Sequence, residues 1–198
     1  MPRWVFGAAF GIGLLGVTVP PAEAHPHVWI DYRLTILFEH GQIAALRQNW
    51  SFDEDFSAAV LRDVAGGKAL KKLGPKEVKA IEQNAFSNLK NYGYFTHVFV
   101  PDGTAATGVV TDFNAVLAGP KLVYTFTVPL AHPVAPKPGP VGIGVWDDTY
   151  YVDVGLAAGS APELQGDGSA GCQAVPIADH QHPIYFGSVY PTVVKVTC

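Results

Sequence analysis

Val28-Trp29-Ile30-Asp31-Tyr32-Arg33-Leu34-Thr35-Ile36-Leu37-Phe38 puts Val28, Ile30, Tyr32, Leu34, Ile36 and Phe38 at every second position. Asp31, Arg33 and Thr35 alternate with them. A period of two predicts a strand with one buried face and one wet face. His40-Gly41 supplies a hairpin turn, and Ile43 to Phe52 predicts the return strand, with Leu46, Trp50 and Phe52 on a common side.

The hairpin is followed by Ser51-Phe52-Asp53-Glu54, which opens a helix. Ser51 or Asp53 can cap it, and the acidic residues suit the positive end of the helix dipole. Gly66-Gly67 ends it near Val64, and a connector rich in Lys68, Lys71 and Lys72 follows. Pro75 starts a second helix. Val78, Ile81, Ala85, Leu89 and Tyr92 mark its apolar face, and Gly93 stops it.

Beyond this pair the pattern predicts strands near 94–100, 108–117, 122–128, 141–146, 149–155 and 189–197, separated by turn signals such as Pro101-Asp102-Gly103 and Ala118-Gly119-Pro120. Ala157 to Ala170 reads as a long, mobile, polar loop. The sum is an α+β fold, mainly antiparallel β and sandwich-like, with a helical pair inserted at about residues 53–92.

Toward the N-terminus, Arg3 precedes an uncharged apolar run from Trp4 to Val19, then Pro20-Pro21 and Ala22-Glu23-Ala24. A short positive region, an apolar run and small residues at a cleavage point predict a secretory signal peptide over residues 1–24. No cysteine follows the run and no twin arginine precedes it. Removing 24 residues from the 198 leaves 174 (25–198), a length suited to one β-rich domain in the periplasm. With a net charge of −4, the chain has no basic footprint for nucleic acid. No second apolar stretch reaches membrane-spanning length. Cys172 and Cys198 are the two cysteines, and in an oxidising compartment an even pair predicts a disulfide.

Cleavage after Ala24 would expose His25-Pro26-His27. The free amine and ring of His25 can chelate one metal ion. His27 can add a third nitrogen, and Asp31, two strand steps further along the same face, an oxygen. Pro26 lacks an amide proton, which excludes a square-planar site built on deprotonated backbone amides. His180-Gln181-His182 repeats the spacing beside Asp179, and His40, His97 and His132 are further imidazoles. Nitrogen ligation favours a divalent transition metal such as Zn, Ni or Co, with Cu as the alternative. The acidic groups Asp53, Glu54, Asp55 and Asp147, Asp148, Asp153 offer a general acid or base, but read chiefly as caps and turns. No nucleophile elbow, H-E-x-x-H or phosphate loop is present, so nothing obliges an enzyme.

Ala24-His25-Pro26-His27-Val28-Trp29-Ile30-Asp31 resembles the opening of the bacterial family called domain of unknown function 1007. Trp50-Ser51-Phe52-Asp53-Glu54-Asp55-Phe56, Tyr94-Phe95-Thr96, Trp146-Asp147-Asp148-Thr149-Tyr150-Tyr151 and the Cys172 and Val194–Cys198 ending resemble it too. The resemblance implies a periplasmic component tied to divalent-metal uptake, with an inner-membrane metal permease or ABC transporter as partner. It also implies an EF-hand-like stretch between the helices, but Asp63 to Glu77 is Lys-rich and lacks the ligand pattern. One core in 174 residues is too little chain for a two-lobed solute receptor, so an accessory metal binder is expected. Two other readings stand beside it. One is a copper carrier or redox enzyme with a clamp at His25. The other is a metal-free interaction module that uses Trp146, Tyr150 and Tyr151.

Overall fold

A computed structural model describes residues 27–66 and 70–198. The expected signal peptide, His25 and Pro26 lie outside the described residues. The strands in chain order are β1 (Val28–Glu39), β2 (Gln42–Phe52), β3 (Thr96–Val100), β4 (Gly103–Thr104), β5 (Thr111–Ala118) and β6 (Lys121–Val134). They continue with β7 (Val141–Val145), β8 (Val152–Leu156), β9 (Glu163–Gly166), β10 (Gln173–Ala178) and β11 (Thr192–Thr197). Helices α1 (Glu54–Ala65) and α2 (Pro75–Asn84) and a 3-10 segment (Phe86–Phe95) lie between β2 and β3.

The alternation of β1 is real burial: Val28, Ile30, Tyr32, Leu34, Ile36 and Phe38 are all inside. His40 and Gly41 both take positive φ, the mirror-image turn whose twist matches a two-residue hairpin. One sheet runs β5-β6-β2-β1-β8, with β9 alongside the second half of β1. Strands β8 and β9 pair parallel to β1, and the other pairings of this sheet are antiparallel. The second sheet, β10-β11-β7-β3-β4, is antiparallel throughout. Residues from both sheets and the helices, among them Trp50, Phe126, Ile81, Ile143 and Val194, form one apolar core. The fold is therefore α+β, two largely antiparallel sheets with a helical pair inserted after the first hairpin.

Asp53, not Ser51, caps α1: its carboxylate accepts from Phe56 N at 2.8 Å. Gly66, at φ 59°, closes the other end. Ser57 anchors the helix to the sheet. Its buried hydroxyl donates to Asp53 O (2.6 Å) and accepts from Leu122 N (2.9 Å) at the start of β6.

The structure corrects the sequence expectation in four places. The second helix ends at Asn84 and tightens into the 3-10 segment, in which Phe86 and Phe95 are buried. Strand β6 continues past Val128 to Val134: Gly108 N donates to Pro129 O, Ala131 N donates to Ala106 O, and Ile43 pairs with Val134 beyond a register shift. The Ala157–Ala170 stretch contains β9, whose Leu164 packs on the core. The edge strand β10 was not expected. Ala174 to Ala178 are all apolar, so no apolar–polar alternation marks it as a strand.

Candidate functional site

The wet face of β1 begins with His27, Trp29 and Asp31, all exposed. The parallel register with β8 sets Trp29 opposite Asp153 and Asp31 opposite Gly155. His27 N donates to Tyr151 O at 3.0 Å, and the two rings lie 4.8 Å apart. Asp153 thus stands on the strand beside His27, Trp29 and Asp31. Burial pushes its carboxyl above the usual carboxylate range; the Tyr150 hydroxyl, 3.4 Å from Oδ2, pulls it back, and the charge of Asp31 pushes it up again. Asp31 and Asp153 thus place two carboxylates near one another at this end of the sheet.

Asp147 shapes the turn that leads into β8. Its buried carboxylate accepts from Thr149 N (2.9 Å), Thr149 Oγ1 (2.8 Å) and Val152 N (3.1 Å). Tyr150 takes a positive φ of 56° there, and its ring meets that of Tyr185 at 5.3 Å. Phe186, wholly exposed, also has a positive φ, as does Tyr185 before it. Exposed Trp29, Tyr151 and Tyr190 complete an aromatic surface at this end of the molecule.

His180 and His182 line a groove of about 660 Å³ on the outer side of the second sheet. His182 Nδ1 lies 2.7 Å from Asp179 Oδ2, and Asp179 Oδ1 accepts from Gln181 N at 2.8 Å. Burial raises the Asp179 carboxyl, but these hydrogen bonds outweigh it and hold the group below its ordinary range. The His182 ring stacks on Phe99 at 4.2 Å, whereas His180 packs against Tyr190 at 4.5 Å. Trp146 stacks on His97 at 4.2 Å and lies over Gly144, where a Cβ would overlap the indole.

Among the described residues, no three His, Cys, Asp or Glu side chains converge to hold a metal ion by themselves. Of the expected ligands, the fold puts His27 and Asp31 on one exposed strand face. It places His180 and His182 in the second-sheet groove, and His25 lies outside the described residues. Asp153 is the group that sequence reasoning missed as a neighbour of this face. Only the β1–β8 register reveals it. Cys172 and Cys198 are joined, as expected.

The pattern that defines the family described as "Protein of unknown function (DUF1007)" matches residues 10–183. The chain belongs to the DUF1007 family. An uncharacterised protein of Haemophilus influenzae is 27% identical over 143 residues, spanning 71% of this chain and 67% of that one. An uncharacterised 15.5 kDa protein from the trpE 3′ region of Spirochaeta aurantia is 29% identical over 130 residues, 64% of this chain and 89% of that protein. No helix among the described residues of this DUF1007 chain is long and apolar enough to cross a membrane.

Proposed function

We propose that this DUF1007 protein is a periplasmic divalent-metal-binding accessory protein serving a transition-metal uptake system for Ni, Co or Zn. In this reading the signal peptide is removed, and the amine and ring of His25 combine with His27. Asp31 is a ligand or orients one, with Asp153 beside it. The observation that carries the reading is the sharing of one exposed face by His27 and Asp31, with Asp153 set against it by the β1–β8 register. A bound cation would offset the mutual repulsion of the two carboxylates.

The partner is an inner-membrane metal permease or ABC transporter. The exposed aromatics Trp29, Tyr151 and Phe186 are the surface by which the protein meets it, since aromatic side chains dominate the energetics of interfaces. The disulfide suits an oxidising compartment.

The test is metal analysis of untagged, processed protein isolated from periplasmic extract. A stoichiometric divalent metal supports the proposal. Protein isolated metal-free that takes up neither Zn²⁺, Ni²⁺ nor Co²⁺ on incubation contradicts it and leaves the interaction-module reading.

A further inference from the structure

The wet face of the first sheet carries a second feature, further along β1. Arg33 lies opposite Asn49, and Thr35 lies opposite Arg47. Next along the sheet, Asn49 pairs with Thr125 and Arg47 with Thr127. Two adjacent rungs therefore each present one arginine, and the two arginines sit on a diagonal. Diagonal neighbours on paired strands have Cα atoms about 7–8 Å apart, within reach of each other for side chains as long as arginine's.

Both arginines are exposed. Every ion pair among the described residues involves a histidine, so neither guanidinium has a carboxylate of a described residue within 4.0 Å. Like charges placed together on a sheet face are destabilising unless something offsets them. Here they flank a pocket of about 150 Å³, also lined by Thr35, Asn49, Thr125 and Glu163. Asn49, opposite Arg33, donates its Nδ2 to Thr125 Oγ1 at 2.9 Å on the next strand. Glu163 enters from β9, and its carboxylate takes only a long contact, 3.5 Å, from the Thr35 hydroxyl. It is the one acidic group of the pocket lining and is not paired with either guanidinium.

We propose that this pocket binds a small oxyanion, a phosphate or a carboxylate group, between the forks of Arg33 and Arg47. A guanidinium presents paired N–H donors that match the two oxygens of such a group. The pocket is large enough for one such group and too small for a bulky ligand. Glu163 stands at the rim as a competing anion that weakens binding, and its place on β9 couples the pocket to the 157–170 segment. This site is separate from the metal reading and uses none of its ligands.

The experiment is calorimetric titration of the processed full chain with inorganic phosphate and, separately, with succinate, in a buffer free of other oxyanions. Saturable binding of either is expected. The anion that binds more tightly identifies the ligand as tetrahedral or carboxylate. Arg33→Ala and Arg47→Ala should each weaken binding about tenfold or more, and the lysine variants should recover only part of it, because Lys keeps the charge and loses the fork. Glu163→Gln should tighten binding. Thermal melts check that each variant is folded. Each side chain is exposed or at a rim, so folding should persist. Failure of both anions to bind, or equal binding by an Arg33→Ala/Arg47→Ala variant, overturns the proposal.

Discussion

Asp53 grips the backbone of Trp29 from both sides: its Oδ2 accepts from Trp29 N at 2.9 Å, and its own N–H donates to Trp29 O at 3.0 Å. The other carboxylate oxygen caps α1 through Phe56 N. One residue therefore fixes the start of β1, and with it His27 and Asp31, relative to the inserted helices. Asp53→Ala removes a cap and leaves the Trp29 amide without its carboxylate, a loss of about 2 kcal/mol. Urea unfolding should show a lower midpoint with an unchanged slope. Asp53→Ser, which keeps a capping oxygen, should lose less.

Asp153 gives a pH signature. Its folded-state pKa is raised, chiefly by burial, and Asp31 adds to the shift. The folded state then holds the proton more tightly than the unfolded chain. Stability falls as pH rises from the ordinary Asp value of about 4 through the raised value, and the loss is complete above it. Asp153→Asn should therefore equal or exceed the wild type in thermal stability at neutral pH, and the difference should vanish in acid, where the wild-type carboxyl is protonated. Melting curves across about pH 3–7 read this directly. A variant that is less stable at neutral pH would mean that the Tyr150 contact outweighs the burial and the repulsion.

Gly144 tests the stack on the second sheet. A Cβ there would strike the Trp146 ring, and Trp146 in turn stacks on His97 and keeps its indole N–H on Asp148 at 3.0 Å. Gly144→Ala should cost about 1–3 kcal/mol by overpacking and change the near-ultraviolet circular dichroism of the tryptophan. Val116→Ala, an exposed position on β5 in the first sheet, should leave that signal in place.

Much of this architecture is legible in the residues. The period of β1, the turn at His40-Gly41, Asp53 as a cap and Pro75 as a helix start all act over a few positions, so local chemistry decides them. What was not legible depends on distant pairing. Strand β9 is four residues long and becomes a strand only beside β1. Strand β10 is an unbroken apolar run, Ala174 to Ala178, with no polar alternation, and is held by β11 and by the Cys172–Cys198 bridge. The second helix loses its α-geometry after Asn84, where a local pattern of apolar spacing continues but the chain turns Phe86 into the core. Asp153 falls in the predicted 149–155 strand, but local sequence cannot show that this strand pairs parallel with β1 and brings Asp153 beside Trp29.

The Cys172–Cys198 bridge closes a loop across a separation of 26 residues and holds the end of β11 to the start of β10. A loop of that length contributes about 3 kcal/mol by restricting the unfolded chain. Cys172→Ser/Cys198→Ser should lower the urea midpoint by the corresponding amount, and wild type under strong reductant should match the variant. If reduced and oxidised protein unfold alike, the bridge contributes nothing to stability.

Calorimetric titration of the processed chain with Zn²⁺ and Ni²⁺ addresses the metal reading most directly. Measured at about pH 6 and about pH 8, affinity should rise with pH, because an imidazole and an α-amine must both lose protons to bind. A His25→Ala/His27→Ala variant should lose most of it. One residue added before His25 should weaken binding and flatten the pH dependence, since the amine is displaced from the chelate. Equal affinity for wild type, the double variant and the extended chain would contradict the account and move any metal site away from the start of β1.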